Sequence, residues 1–223
     1  MRIIAAADIH GVRAVYEWLI GLTHTSCDVL VLAGDLFASD FASEQRKKAE
    51  TIVAILRSSP VPVLYIMGND DNVALDYSDE LIQPIHGRRV AIGAYNFVGY
   101  QYTPPFVGDA FVKTDAEIEA DLPALEPLVD QWTVFVTHAP ALGSLDLCYE
   151  ENVGSRAIAQ FLERKPALAH IHGHIHEKFG RDGNHFNVAA AGVCRAVLIE
   201  LPSLVHTVLA YRSKSDLMPD NYR

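Results

Sequence analysis

The chain has 223 residues, 50% of them apolar and 21% charged, with 28 Asp and Glu against 18 Lys and Arg and a formal charge of -10. A chain this long buries roughly 70% of the surface it exposes when unfolded, so one self-sufficient core is expected and the apolar content excludes disorder. The longest apolar runs, Val61–Gly68 and Val188–Cys194, fall short of the about 20 residues a membrane span needs, and an acidic surface without a basic stripe excludes duplex nucleic acid as a partner.

Apolar runs of strand length alternate with helical spacing along the first third of the chain. Arg2 to Ala7 reads as a strand and meets Asp8 too early to form a signal-peptide core, so a cytoplasmic location is expected. Val12, Val15, Leu19 and Leu22 then recur at helical spacing. Asp28 to Ala33 is a second strand, and Ala49, Ile52, Val53 and Leu56 mark the inner face of a helix from about Ser43 to Arg57. Val61 to Met67 is a third strand. The polar segment from Asp70 to Gln83 is expected to be a short helix ended before Pro84, with Asp71 as its cap.

Beyond Pro84 the pattern changes to short runs, Arg89 to Ile92 and Tyr95 to Tyr100, which suit antiparallel or edge strands. Tyr102 to Gly108 reads as a loop, and the aromatic stretch from Tyr100 to Phe106 as core packing in preference to the wall of a pocket. Asp115 to Asp130, acidic and interrupted by two prolines, is expected to be a broken surface helix. The α/β alternation then resumes with a strand at Trp132 to Thr137, a helix from Gly154 to Lys165 capped by Ser155, and a strand at Leu168 to His172. Strands at Phe186 to Ala190, Cys194 to Glu200 and Leu204 to Tyr211 follow, with a turn at Leu201-Pro202-Ser203. These elements predict an α/β sandwich of two mixed sheets packed face to face with helices outside. One domain over residues 1–212 is expected, followed by a polar tail at 213–223. Cys27, Cys148 and Cys194 are scattered and odd in number, so they are expected to be core thiols rather than a disulfide or thiolate zinc framework.

Five of these strands run into a short polar signature: Asp8-Ile9-His10, Gly34-Asp35, Gly68-Asn69-Asp70-Asp71, His138 within Thr137-His138-Ala139-Pro140, and Gly173-His174-Ile175-His176. Ligands in α/β sheets collect at the carboxyl ends of strands. The glycines are expected there because they accept positive φ and close backbone approach. Asp8, His10, Asp35, Asn69, His138, His174 and His176 offer oxygen and imidazole donors without thiolate. That set suits Mn²⁺, Fe²⁺, Zn²⁺, Co²⁺ or Ni²⁺ and is large enough for two ions sharing a carboxylate, which is the clamp for in-line displacement at phosphorus. His170 and His172 share a strand face and are expected to be structural histidines.

The order DxH, GD, GNxD, THxP and GHxH, spanning Asp8 to His176, resembles the calcineurin-like metallophosphoesterases, most closely the small Icc-related single-domain members. The resemblance implies a four-layer αββα sandwich. It implies one divalent ion held by Asp8, His10, Asp35 and His176 and a second by Asp35, Asn69, His138 and His174, with Asp35 bridging and Mn²⁺ favoured. It further implies hydrolysis of a small phosphate ester by a metal-bridging hydroxide, with Asp70 and His138 as the catalytic positions. Many relatives carry His where this chain has Asp70. A carboxylate is a poor general acid at neutral pH, so phosphodiesters are expected over alkyl monoesters. The competing expectations are a phosphomonoesterase or protein phosphatase of the same fold and a scaffold that keeps the fold without catalysis, as monomer or homodimer in each case.

Overall fold

The computed structural model describes residues 1–38, 41–75, 77–106 and 110–211, so the expected tail and the end of the Tyr102–Gly108 loop lie outside the described residues. The chain opens with β1 (Arg2–Ala6), α1 (Arg13–Ser26), β2 (Val29–Ala33), α2 (Ala42–Leu56) and β3 (Val63–Ile66). It continues through β4 (Ile82–Pro84), β5 (Arg89–Ile92), β6 (Tyr95–Tyr100), α3 (Asp115–Asp121), a 3-10 helix (Leu122–Leu128) and β7 (Thr133–Thr137). A small hairpin follows, β8 (Leu147–Cys148) and β9 (Glu151–Asn152), then α4 (Arg156–Arg164) and β10 (Ala169–His172). After a 3-10 turn at His176–Lys178 the chain ends its described part in β11 (Gly180–Asp182), β12 (His185–Asn187), β13 (Arg195–Glu200) and β14 (Val205–Ala210).

Two six-stranded sheets form, in the orders β14-β13-β1-β2-β3-β4 and β11-β12-β10-β7-β6-β5. Both are mixed. In the first, β1, β2 and β3 run parallel while β13 pairs antiparallel with β1. In the second, β6, β7 and β10 run parallel while β5 pairs antiparallel with β6.

The layers follow from strands that are apolar on both faces, as parallel sheets covered on both sides require. β2 is buried throughout. Its Val29, Val31 and Ala33 join Leu64, Ile66, Val134, Val136 and Ile171 in the core between the sheets. Leu30 and Leu32 turn outward to Leu19, Ile20, Ile52 and Leu56 of α1 and α2. On the far side, Phe135 and Val98 meet Ile118 of α3 and Ile158 and Phe161 of α4. The result is the αββα sandwich that periodicity predicts. The acidic Asp115–Asp130 stretch breaks as expected, because Thr114 caps α3 through a reciprocal box with Glu117 and the prolines convert the remainder to a 3-10 helix.

Three expectations fail. No helix spans 70–83 among the described residues. The short polar side chains there satisfy loop amides instead: Asp79 accepts from Leu81 N and Ile82 N at 2.8 and 2.7 Å, and the segment ends in β4 rather than a helix. Asp71 caps nothing. It is fully buried and accepts from Phe37 N and Gly68 N at 2.7 Å each, tying the loop after β2 to the loop after β3. Burial and the nearby Asp35 charge push its carboxyl well up. The three cysteines form no disulfide among the described residues and are half-buried rather than core. No helix among the described residues is long and apolar enough to cross a membrane.

Candidate functional site

All five polar signatures arrive at one edge of the sandwich, because the strands that carry them are parallel within their sheets and the loops beyond them are stitched together. Asp8 N donates to Gly34 O and His10 N to Asp35 O, at 3.0 and 3.1 Å. Gly173 N donates to His138 O at 3.2 Å. The seam between the sheets is closed by His174 N, which lies 3.2 and 3.1 Å from the two Asp8 carboxylate oxygens. Asp8, His10, Asp35 and His174 all adopt positive φ, between 50° and 71°. Such non-glycine conformations cost on the order of 1–3 kcal/mol each and gather where function holds them.

Donor atoms converge in three overlapping groups: Asp8 with His10 and His176, Asp8 with Asp35 and His138, and His10 with Asp35 and Asp70. His176 Nε2 is 3.2 Å from Asp8 Oδ1 and 3.2 Å from His10 Nε2. His138 Nε2 is 3.3 Å from Asp35 Oδ2. Asn69 is adjacent, and His174 packs its ring edge-on against His138 with centroids 5.2 Å apart, outside the three close groups.

The orientation of each donor has a visible cause. His138 Nδ1 is 2.8 Å from Ala33 O, and a carbonyl can only accept, so that nitrogen carries a proton and Nε2 faces inward, where its lone pair becomes available to a cation once the proton it shares with Asp35 is displaced. Asn69 Nδ2 donates to Asp70 Oδ1 at 3.1 Å, which turns Asn69 Oδ1 inward. Asn69 Oδ1 is buried without a hydrogen-bond partner, and the inward His138 Nε2 is buried with only the Asp35 carboxylate beside it, at 3.3 Å. An orphaned buried acceptor is costly, and a divalent cation would satisfy it. Asp70 faces His10 Nδ1 at 3.6 Å and sends its own amide to Asp35 Oδ1 at 2.9 Å. The residues therefore fit oxygen- and nitrogen-preferring metal ions.

Three glycines leave the space these groups occupy. A Cβ on Gly34 would strike the His138 imidazole, one on Gly68 the Asp35 carboxylate and one on Gly173 the Asp8 carboxylate. Only Gly34 uses positive φ, at 94°; Gly68 and Gly173 are needed for room alone.

Electrostatics follow the same geometry. Burial pushes the Asp35 carboxyl up, but the His138 imidazole and the Asp70 amide outweigh it and hold the carboxyl at about 2. Burial pulls His138 down, yet the Asp35 charge carries it to about 10. Burial, aided by the neighbouring His138 charge, takes His174 down to about 4. The metal-free protein at neutral pH thus holds a His138 imidazolium against an Asp35 carboxylate, and a cation must displace that proton. Metal uptake is expected to release about one proton per His138, and affinity to rise about tenfold per pH unit until the effect fades near pH 10. Calorimetric titration of Mn²⁺ in two buffers of different ionisation enthalpy reads the proton directly; zero release would contradict His138 as a ligand.

His170 and His172 are buried, as structural histidines should be. The Thr137 hydroxyl donates to Ala139 O, so it accepts from His170 Nε2 at 2.7 Å, and His170 Nδ1 then accepts from His185 Nδ1 at 2.9 Å. This chain braces the turn that carries His138. Burial holds both histidines neutral, His172 at about 3.

One expectation is corrected here and two features escaped the sequence. Phe106 is not core: it is 43% exposed, and its ring lies 5.7 Å from that of His174. The β8–β9 hairpin brings Cys148 and Tyr149 to a cavity of about 210 Å³ that is floored by His10, Asp35, Asn69 and His174. Asp71 braces the Gly68 loop, a role its spacing gave no means of finding.

Residues 1–178 match the family described as calcineurin-like phosphoesterase. A UPF0046 protein of Caenorhabditis elegans is 33% identical over 109 residues, a stretch covering 48% of this chain and 37% of that relative. The chain thus spans well under two thirds of that relative's length. Among solved structures, TT1561 of Thermus thermophilus superposes with a TM-score of 0.74 at 18% identity over 95% of this chain and 99% of its own. A dimetal phosphatase from Danio rerio gives 0.59 at 11% identity over the same shares. A family match across most of the chain, on a sandwich whose strand ends bring these carboxylates and imidazoles together, places this protein in the calcineurin-like phosphoesterase family.

Proposed function

We propose that this protein is a binuclear metal-dependent phosphodiesterase acting on a small phosphate ester, with Mn²⁺ as the favoured ion and the cytosol as its setting. The observation that carries the reading is the overlap of the donor groups, in which Asp8 and Asp35 each belong to two. Asp8, His10, Asp35 and His176 would hold one ion, and Asp35, Asn69, His138 and His174 the other. Bound there, the ions supply Lewis acidity that acidifies water and neutralises charge developing on phosphoryl oxygens. The residues do the rest. His138, fixed by Ala33 O, and Asn69, fixed by Asp70, keep their donor atoms aimed inward without reorganisation. Asp70 lines the cavity and already accepts from Asn69 Nδ2 while facing His10 Nδ1. It is engaged as an acceptor and holds negative charge beside the entering phosphate. That disfavours a dianionic monoester and offers no proton to a poor leaving group.

The expected result is hydrolysis of bis-p-nitrophenyl phosphate in Mn²⁺ with kcat/KM at least about a hundredfold above that for glycerol 2-phosphate. Asp70→His should raise the monoester rate about a hundredfold, the low end of what a positioned general acid contributes. Equal turnover of both substrates, with Asp70→His changing neither, would overturn the diester reading. Failure of the purified protein to retain any divalent metal, measured by elemental analysis, would overturn the hydrolase reading itself.

A further inference from the structure

We propose that Tyr149 and Phe106 form an aromatic clamp at the mouth of the metal cavity that receives a flat, uncharged ring carried by the phosphate ester. The inference rests on the reading of this site as a phosphoesterase centre and names the class of ester it takes. The β8–β9 register pairs Leu147 with Asn152 and Cys148 with Glu151, leaving Tyr149 and Glu150 as a two-residue loop. Both have positive φ, 46° and 70°. A two-residue hairpin with positive φ at both positions strongly prefers Asn-Gly, because a side chain is disfavoured there and a bulky aromatic one most of all. Here a tyrosine occupies the first position. The residue is 94% exposed and its ring has no hydrogen-bond or ring partner among the described residues, so nothing in the fold repays the conformation.

The mount beneath it is rigid. Buried Asp146 accepts from Gly143 N and Gly154 N at 3.0 Å each, and its own carbonyl accepts from Val153 N at 3.1 Å, closing the base of the hairpin. From that base Tyr149 lines the cavity together with Phe106, which stands edge-on to the candidate ligand His174 and leaves part of its own ring open to solvent. Glu177 also lines the cavity, so a second anionic group on the substrate is unwelcome there. Two exposed rings beside the phosphate position, with carboxylates at the rim, fit an aryl group or a nucleobase rather than an alkyl chain or a further phosphate.

The test uses three esters with one leaving group: bis-p-nitrophenyl phosphate, the p-nitrophenyl ester of thymidine 5′-monophosphate, and methyl p-nitrophenyl phosphate. Calorimetric binding of phenylphosphonate against methylphosphonate to the Mn²⁺-loaded protein is measured alongside. The wild type should favour the member whose retained group carries a ring, and Tyr149→Ala and Phe106→Leu should each reduce that preference about three- to tenfold, the range of an aromatic pair. Tyr149→Phe should keep it. A preference confined to the thymidine ester identifies a nucleobase, and one confined to the bis-aryl ester an aryl group; either supports the clamp. A preference absent from the wild type, or unmoved by both variants, overturns it. Ring-selective phosphonate binding without turnover of any ester would leave the clamp standing and sink the hydrolase reading. Turnover with no ring selectivity would do the reverse.

Discussion

Asp35→Asn is expected to lower bis-p-nitrophenyl phosphate hydrolysis on the order of a thousandfold and to strip the protein of at least one metal ion. The carboxylate is 3% exposed, accepts from Asp70 N, and lies 3.3 Å from His138 Nε2. An amide keeps its shape but removes the charge that a shared ligand must supply and presents hydrogens where lone pairs are required. The metal-free variant carries a second signature. His138 reaches about 10 in the wild type because the Asp35 charge outweighs burial. Without that charge burial prevails, and an NMR titration of the His138 ring should give a value below the ordinary 6.5.

Stability of the metal-free protein should follow, with the sign set by the shifts. The raised histidine contributes stability fully present below 6.5 and lost as pH climbs through about 10. The depressed carboxyl contributes stability present above 3.8 and lost as pH falls through about 2. These are two views of one attraction. The melting-temperature gap between wild type and Asp35→Asn should be widest between those ordinary values and narrow toward either extreme. Full activity in Asp35→Asn would remove Asp35 from the shared position.

Gly173→Ala is expected to cost about 1–3 kcal/mol of stability and to reduce metal affinity and hydrolysis about a hundredfold or more. The residue joins β10 to the His174 loop, and the added methyl would meet Ala7 Cβ and the Asp8 carboxylate, both fully buried. Neither can retreat. Ala7 packs in the core between the sheets, and Asp8 is held by His174 N and His176 Nε2. Because Gly173 φ lies outside the left-handed region, the damage comes from volume and not from backbone strain. Gly21→Ala is the control of opposite sign. Gly21 lies in α1 with nothing within 4 Å of the added carbon, so its replacement should stabilise by about 0.8–1.0 kcal/mol, the helical preference for Ala. Thermal unfolding and metal analysis of both variants measure the contrast; a fully metallated, wild-type-stable Gly173→Ala would refute the crowding argument.

Where the sequence was readable, the reason was local. A run such as Val29–Ala33 is apolar on both faces wherever it is placed, and Ile158 and Phe161 at helical spacing declare their buried face without knowledge of their partners. Where it was not readable, a distant partner decided. Asp70 to Gln83 has the length of a helix, but Asp71 and Asp79 spend their carboxylates on backbone amides of loops, and no helix forms there among the described residues. The Tyr149-Glu150 turn carries no hairpin signal, since its residues are poor choices for the conformation they adopt. Phe106 looked like core because aromatic residues usually are.

Alternating periodicity determined the αββα class, and the five signatures at strand ends determined which residues could bear the chemistry, because both are properties of short stretches of chain. Only the folded molecule decided which donor faces which. His174 N reaches Asp8 across 166 positions of sequence, and His138 takes its inward tautomer from Ala33 O across 105. Such pairings depend on how two sheets meet, which no local pattern encodes; they set which His138 nitrogen faces inward and tie the Asp8 carboxylate to the His174 loop.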